Sequence, residues 1–272
     1  YTDINAFAVN ASLHQLVIYD NMKQSLMFYS TEDGRFVKSE KFNKPTPAEI
    51  AYWGGYFFYH NRLHRNYQDD ISLHYYLLAS KDGITIGKRY FKHENNKEDY
   101  PFSPSGHNLY DNNSKLYYCR DFDNIVYQIH EDSVVPRFRI NLPNPLPASM
   151  IEGRPNEMSL LRSGYSLGIT DIYEYGGLLF FRFVKDGYIW SCLYNVEESK
   201  QVYCAKRIKF LDSSLIDTID GIYKDCFYSI LTPEYLDYAF SENPLEDYPD
   251  LFKTYDVEGD NPVIAFYRAV VR

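Results

Sequence analysis

Short apolar runs rich in aromatic and β-branched residues recur along the 272-residue chain, each closing on a polar residue or a turn. They read LVIYD at Leu16–Asp20, YFFYH at Tyr56–His60, LYYCR at Leu116–Arg120, LLFFR at Leu178–Arg182 and CFYSI at Cys226–Ile230. Most are followed by a polar turn and then two further strand-like runs. Aromatic and β-branched side chains suit a pleated, half-buried surface, so each run predicts a strand. A unit repeated every few tens of residues buries its faces only by stacking on its neighbours. An all-β unit of this kind predicts a propeller of four-stranded antiparallel blades, built as a single domain over residues 1–272.

Blade one is expected over Ala6–Phe42, with its outer turn at Glu32-Asp33-Gly34. Blade two runs over Ile50–Phe91 and repeats that turn at Lys81-Asp82-Gly83. Blade three covers Asn108–Ile140 and blade four Tyr165–Ile208, separated by the proline-rich stretch Pro143–Pro155, which cannot donate regular ladder bonds. A short helix is expected over Asn156–Arg162. Blade five starts near Ile219. Thr232-Pro233-Glu234 predicts a helix start running to about Glu242, and Asn261–Val271 returns as strand.

Composition sharpens this picture in three places. The 28 Tyr and 18 Phe supply both packing area and hydroxyls that seek partners. A net charge of −9 without a Lys/Arg run argues against nucleic acid, which demands a basic stripe. No stretch is long and apolar enough to span a bilayer as a helix. The four cysteines, Cys119, Cys192, Cys204 and Cys226, form no CxxC. Cys192 and Cys204 flank a hairpin centred near Glu198, where two strands could bring them face to face; buried free thiols are the preferred reading over a disulfide.

The stretches TDINAFAVN, LVIYDNMKQSLMFYSTEDGRFVKS and LYYCRDFDNIVYQI, with the closing NPVIAFYRAV, resemble the six-bladed β-propeller proteins of anaerobic gut bacteria. The resemblance implies six blades in the full protein, at least five of them represented here, and export to the cell envelope. It also implies upstream residues before Tyr1, with a lipoprotein signal and anchor. It brings no catalytic set.

Candidate chemistry is sparse. Gly164-Tyr165-Ser166-Leu167-Gly168 matches GxSxG, but a strand follows it and no His lies beyond His130, against the order a nucleophile elbow needs. His60 and His64 have the spacing of two helical metal ligands, yet fall in a loop without the Glu of HExxH. Asp69-Asp70 and Asp121, Asp123, Asn124 are acidic turns without an EF-hand spacing. No cofactor is expected. Asn10-Ala11-Ser12 and Asn112-Asn113-Ser114 are glycosylation sequons.

One constellation carries more. In a propeller, the loops between second and third strands emerge on the face that also holds the entry loops. Here they are Asp20-Asn21, His60–Asp70, Arg120–Asn124, Arg182–Asp186 and Thr232–Asp250. Loops on a rigid scaffold concentrate function. Arg120 and Arg182 occupy equivalent strand ends, and two converging guanidinium groups would grip a carboxylate or acidic sugar. Tyr59, Tyr67 and Tyr118 are candidates to stack on a sugar or contact a peptide. The ligand-binding candidates are therefore Asp20, His60, Arg62, Tyr67, Arg120, Asp121 and Arg182. The bland alternative pairs each Arg with an acid such as Asp121 or Asp186 and packs each Tyr between blades. The leading expectation is a non-enzymatic envelope protein binding a glycan, peptide or protein. The rival is a hydrolase or lyase acting on sugars or lactones, with Asp20, His60, Asp69 and Asp121 as acid–base candidates. A third is assembly through the blade-five helix around Tyr235–Phe240.

Overall fold

The structure, a computed structural model, describes residues 4–42, 46–61, 74–92, 104, 106–131, 133–152, 155–206, 219–242, 255–256, 258–259 and 261–268. The described residues form a β-propeller of five antiparallel blades. Blade 1 holds β1 (Ile4–Asn10), β2 (Gln15–Asp20), β3 (Ser25–Ser30) and β4 (Phe36–Lys41). Blade 2 holds β5 (Pro47–Trp53), β6 (Tyr56–Asn61), β7 (Tyr75–Ser80) and β8 (Ile86–Lys92). Blade 3 holds β9 (Leu109–Asp111), β10 (Leu116–Cys119), β11 (Ile125–Ile129) and β12 (Val134–Arg139). Two short helices, α1 (Ala148–Glu152) and α2 (Glu157–Leu161), lead to blade 4, made of β13 (Ser166–Tyr175), β14 (Leu178–Lys185), β15 (Tyr188–Asn195) and β16 (Lys200–Ala205). Blade 5 has three strands among the described residues, β17 (Gly221–Tyr223), β18 (Cys226–Leu231) and β19 (Val263–Tyr267), with α3 (Pro233–Glu242) inserted between the last two. The expectation of six blades is therefore corrected to five. The repeat fixes the architecture of a unit, whereas blade number depends on how the units curve around the axis.

Each blade is a meander whose strands pair with their sequence neighbours. Period-two alternation sends one set of side chains to each adjacent blade. Val17, Tyr19, Leu26 and Phe28 of blade 1 pack with Phe42, Ile50, Phe57 and Tyr59. The other face of blade 2, with Phe58, Leu77 and Ala79, meets Leu116, Tyr118, Tyr127 and Ile129 of blade 3. The largest cluster joins blades 3, 4 and 5 through Tyr117, Val126, Ile172, Phe180, Ile222 and Phe227.

The tyrosine-rich composition explains how the blades are tied. The Tyr110 hydroxyl donates to Thr170 O (2.5 Å), and that of Tyr173 donates to Asp220 O (3.0 Å). Asn112 Nδ2 donates to Ile172 O (3.3 Å), while its Oδ1 accepts from Glu174 N (2.5 Å). Asn112 is buried, so the sequon there is a joint between blades. Asn113 Nδ2 donates to Lys224 O (2.8 Å), which ties blade 3 to blade 5.

Glu174 concentrates charge at the joint between blades 3 and 4. It accepts from Lys115 Nζ (2.8 Å) and from the Tyr117 hydroxyl, with Arg137 at 3.6 Å. Burial opposes its ionisation, but these donors and cations outweigh it and hold the carboxyl below its usual pKa. A depressed carboxyl pKa adds stability that is present above the unfolded value, about 4.3, and is lost as pH falls through the folded value. Acid titration followed by tryptophan fluorescence is expected to show a steeper stability loss for the wild type than for Glu174→Gln. Equal slopes would remove Glu174 as the source.

Cys192 and Cys204 are directly cross-strand on β15 and β16 and form a disulfide, with Cα atoms 4.1 Å apart. This corrects the free-thiol reading: the hairpin register places the two sulfurs on the same face. Thiol titration of the denatured, unreduced chain is expected to count only Cys119 and Cys226. Four reactive thiols would contradict the bridge.

Candidate functional site

The two faces of the propeller differ sharply. One carries the tight turns within blades, such as Gly54-Gly55 and Gly176-Gly177. The other holds the strand ends joined by the longer connections, among them those of β6 and β7 and those of β18 and β19, with α3 following β18. A short exception on this second face is the two-residue turn Asp186-Gly187, where both residues have positive φ (54° and 73°), as a type I′ hairpin requires.

The ends of β6 and β10 bring three of the candidate residues together between blades 2 and 3. His60 Nδ1 lies 3.2 Å from the Tyr118 hydroxyl. Burial drives the Tyr118 pKa well up, reinforced by Asp121, so that hydroxyl stays protonated. Asp121 Oδ1 accepts from Asn108 Nδ2 (3.2 Å). Arg120 lies over Phe91 and Tyr127 and donates to Asp123 from Nε (3.0 Å) and Nη2 (2.5 Å). Burial works against its charge, but Asp123 more than compensates and raises its pKa. Behind the group, Glu49 accepts from the N–H groups of Asn108 (2.6 Å) and Leu109 (2.9 Å) and fastens β9 to blade 2. The result is a largely buried polar joint between blades 2 and 3 that holds groups of both charge signs.

Arg182 lies elsewhere. It occupies the face of blade 4 turned to blade 5, where Nε donates to Asp171 Oδ2 (2.7 Å) and Asp220 is close enough to act on its charge. The two guanidinium groups therefore enter different inter-blade clefts. Each is paired with an acid, as in the bland alternative, but the acids are Asp123 and Asp171 rather than Asp121 and Asp186. Asp20 is buried at the end of β2; its Oδ1 accepts from Lys23 N (3.1 Å) and Lys23 Nζ stands 3.4 Å from Oδ2. Tyr59 and Tyr118 are fully buried, which removes both as stacking surfaces. Arg62, His64, Tyr67, Asp69 and Asp70 lie outside the described residues. Ser166 is buried and its hydroxyl donates to Pro143 O, so the GxSxG match marks a strand entry.

Glu49 and Asp171 escaped the sequence reading, which had Asp123 only as part of an acidic turn. A signal existed for Glu49 and Asp171. EIAYWGGYFFYH at Glu49–His60 and DIYEYGGLLFFR at Asp171–Arg182 share an acid, a Gly-Gly turn and a basic residue at equal spacing. The hairpins then place Glu49 opposite His60 and Asp171 opposite Arg182. Among the described residues no group of three or more His, Cys, Asp or Glu is arranged to hold a metal ion. No described helix is long and apolar enough to cross a membrane.

Radial four-stranded units with one loop-rich face define a β-propeller protein. The chain belongs to the DUF4934 family, a domain of unknown function whose profile matches residues 1–268. The structure is similar to that of a protein described as exported from Bacteroides fragilis, with a TM-score of 0.75 and 16% identity over 97% of this chain and 76% of that one. BamB from Moraxella catarrhalis overlaps less well, with a TM-score of 0.43 and 7% identity over 75% of this chain and 53% of that one. No curated protein matches the sequence.

Proposed function

We propose that this protein is a non-enzymatic, extracytoplasmic binding or scaffold protein that takes a glycan, peptide or protein partner on its loop-rich face. The observation that carries the reading is that the strand ends joined by the longest connections share one face with the group formed by His60, Tyr118, Arg120 and Asp121. Asp20 and Arg182 belong to other points of the same rim, and Arg62 and Tyr67, outside the described residues, remain candidates in the same proposal. The exported description of the Bacteroides fragilis neighbour supports placement outside the cytoplasm, and a structural disulfide suits an oxidising compartment. Attachment to the cell envelope through a lipid belongs to the same proposal.

The test is a thermal-shift screen against acidic glycans and peptides, followed by titration of any hit. Replacing residues 62–73 with a Gly/Ser linker, and separately Arg120→Ala, is expected to weaken binding about tenfold or more, roughly 1.4 kcal/mol. The reading fails if a confirmed ligand binds both variants as tightly as the wild type.

A further inference from the structure

On the face that carries the tight turns, a cavity of about 350 Å³ lies among the first hairpins of blades 3, 4 and 5. In blades 2 to 5 that hairpin turns through two residues. The first of the two always has positive φ: Gly54 (54°), Asn113 (60°), Gly176 (58°) and Lys224 (53°). Glycine and asparagine take this conformation readily, and lysine does not. Lys224 therefore holds a cation at the cavity at some cost to its turn.

We propose that this cavity binds a small hydroxylated carboxylate, about one acidic sugar in size. The lining groups that the fold leaves unused are mostly donors. Among the described residues the Lys224 ammonium has a ring beside it, that of Tyr223 at 5.2 Å, and no carboxylate; its neighbour Asp225 pairs with Arg268 instead. Lys115 gives one N–H to Glu174 and keeps 32% of its side chain exposed. The blade 4 hairpin pairs Tyr175 with Leu178, so its ladder uses neither the Gly176 nor the Gly177 N–H. The single carboxylate of the lining, that of Glu174, is already surrounded by Lys115, the Tyr117 hydroxyl and Arg137. Two lysines against one glutamate give the lining a net charge of +1 on a chain of −9. Such a donor set fits a carboxylate. The Ser114 hydroxyl, the Asn113 amide oxygen and the half-exposed Tyr175 ring suit the hydroxylated, C–H-bearing body of a sugar acid. The volume is at the small end of ligand pockets, which start at about 300 Å³, and holds one ring rather than a chain. The proposal does not rest on the binding role of the loop-rich face.

The test is titration of the isotope-labelled 272-residue chain with glucuronate, read by amide NMR shifts. The Gly176 and Gly177 amides are expected to shift together and to report one Kd. Glucose and the methyl ester of glucuronate, which lack the charge, are expected to bind at least about tenfold more weakly. Lys224→Asn keeps a residue suited to the turn and is expected to weaken glucuronate binding about tenfold, whereas Lys224→Arg is expected to stay within about threefold of the wild type. An oligosaccharide ending in glucuronate separates the two sources of the ligand: binding as tight as the monomer's assigns a chain end, and binding of the monomer alone assigns a free acid. The proposal is overturned if glucuronate moves neither glycine amide, if the ester binds as tightly, or if a folded Lys224→Asn chain keeps the wild-type Kd. Shifts confined to the loop-rich face, as at Asp186-Gly187, overturn it too and leave the binding role proposed above standing.

Discussion

Asp171→Ala is expected to lower the unfolding free energy by about 3 kcal/mol, the usual cost of removing one member of a buried ion pair. The side chains of Asp171 and Arg182 are 9% and 19% exposed. Burial pushes the Asp171 carboxyl up despite the opposing charge of Arg182, which places the desolvation cost on the acid. Removing it strands a largely buried guanidinium, with Asp220 as the nearest remaining acid acting on it. Arg182 cannot escape by losing its proton. Replacing both residues by leucine removes the stranded charge, so that double variant is expected to be more stable than Asp171→Ala. Urea denaturation of the three chains checks this. A loss below about 1 kcal/mol for Asp171→Ala would reduce the pair to a surface-type interaction.

Gly168→Ala is expected to cost roughly 3 kcal/mol, for two reasons that add. Its φ of +98° is costly for any residue with a Cβ. That Cβ would also lie 2.7 Å from Phe122 Cα and 2.8 Å from Phe122 C. Main-chain atoms cannot rotate away, and Phe122 itself is held at φ 59°. The close approach exists because Ile169 N donates to Asp123 O (3.1 Å), joining the turn of blade 3 to the first strand of blade 4. The melting temperature is expected to fall by about 6–12 °C for a domain of this size. The damage should reach Arg120, which the same turn holds through Asp123. A melting temperature unchanged by the substitution would show that the two blades can separate there without loss.

The blades were legible in the sequence because alternation and aromatic enrichment are local properties. LVIYD, YFFYH and LLFFR lie within the second strands β2, β6 and β14, and LYYC of LYYCR forms β10. The helices at Glu157–Leu161 and Pro233–Glu242 were legible for the same reason: Asn156 caps the first, its Oδ1 accepting from Ser159 N, and Pro233 opens the second. Blade number was not legible, because it depends on curvature summed over inter-blade contacts. The disulfide was half legible: the hairpin was evident, but its register was not. Arg120 and Arg182 show the limit most clearly. They were expected at equivalent strand ends, but Arg120 follows β10 and Arg182 lies inside β14, and Arg120 turns toward blade 2 while Arg182 turns toward blade 5. One residue of phase along a strand reverses the face a side chain takes, and bulges such as the one between Ile169 and Asp171 reset that phase.

Most of the cross-blade ties end on main-chain atoms. Tyr110 donates to Thr170 O, Tyr173 to Asp220 O and Asn113 to Lys224 O, while Glu49 accepts from the N–H groups of Asn108 and Leu109. A carbonyl or amide is supplied by whatever amino acid occupies that position. Each joint therefore constrains the reaching residue and leaves the identity of the receiving one open. Paired substitutions between adjacent blades should be rare at these positions, since one partner can change without the other having to answer.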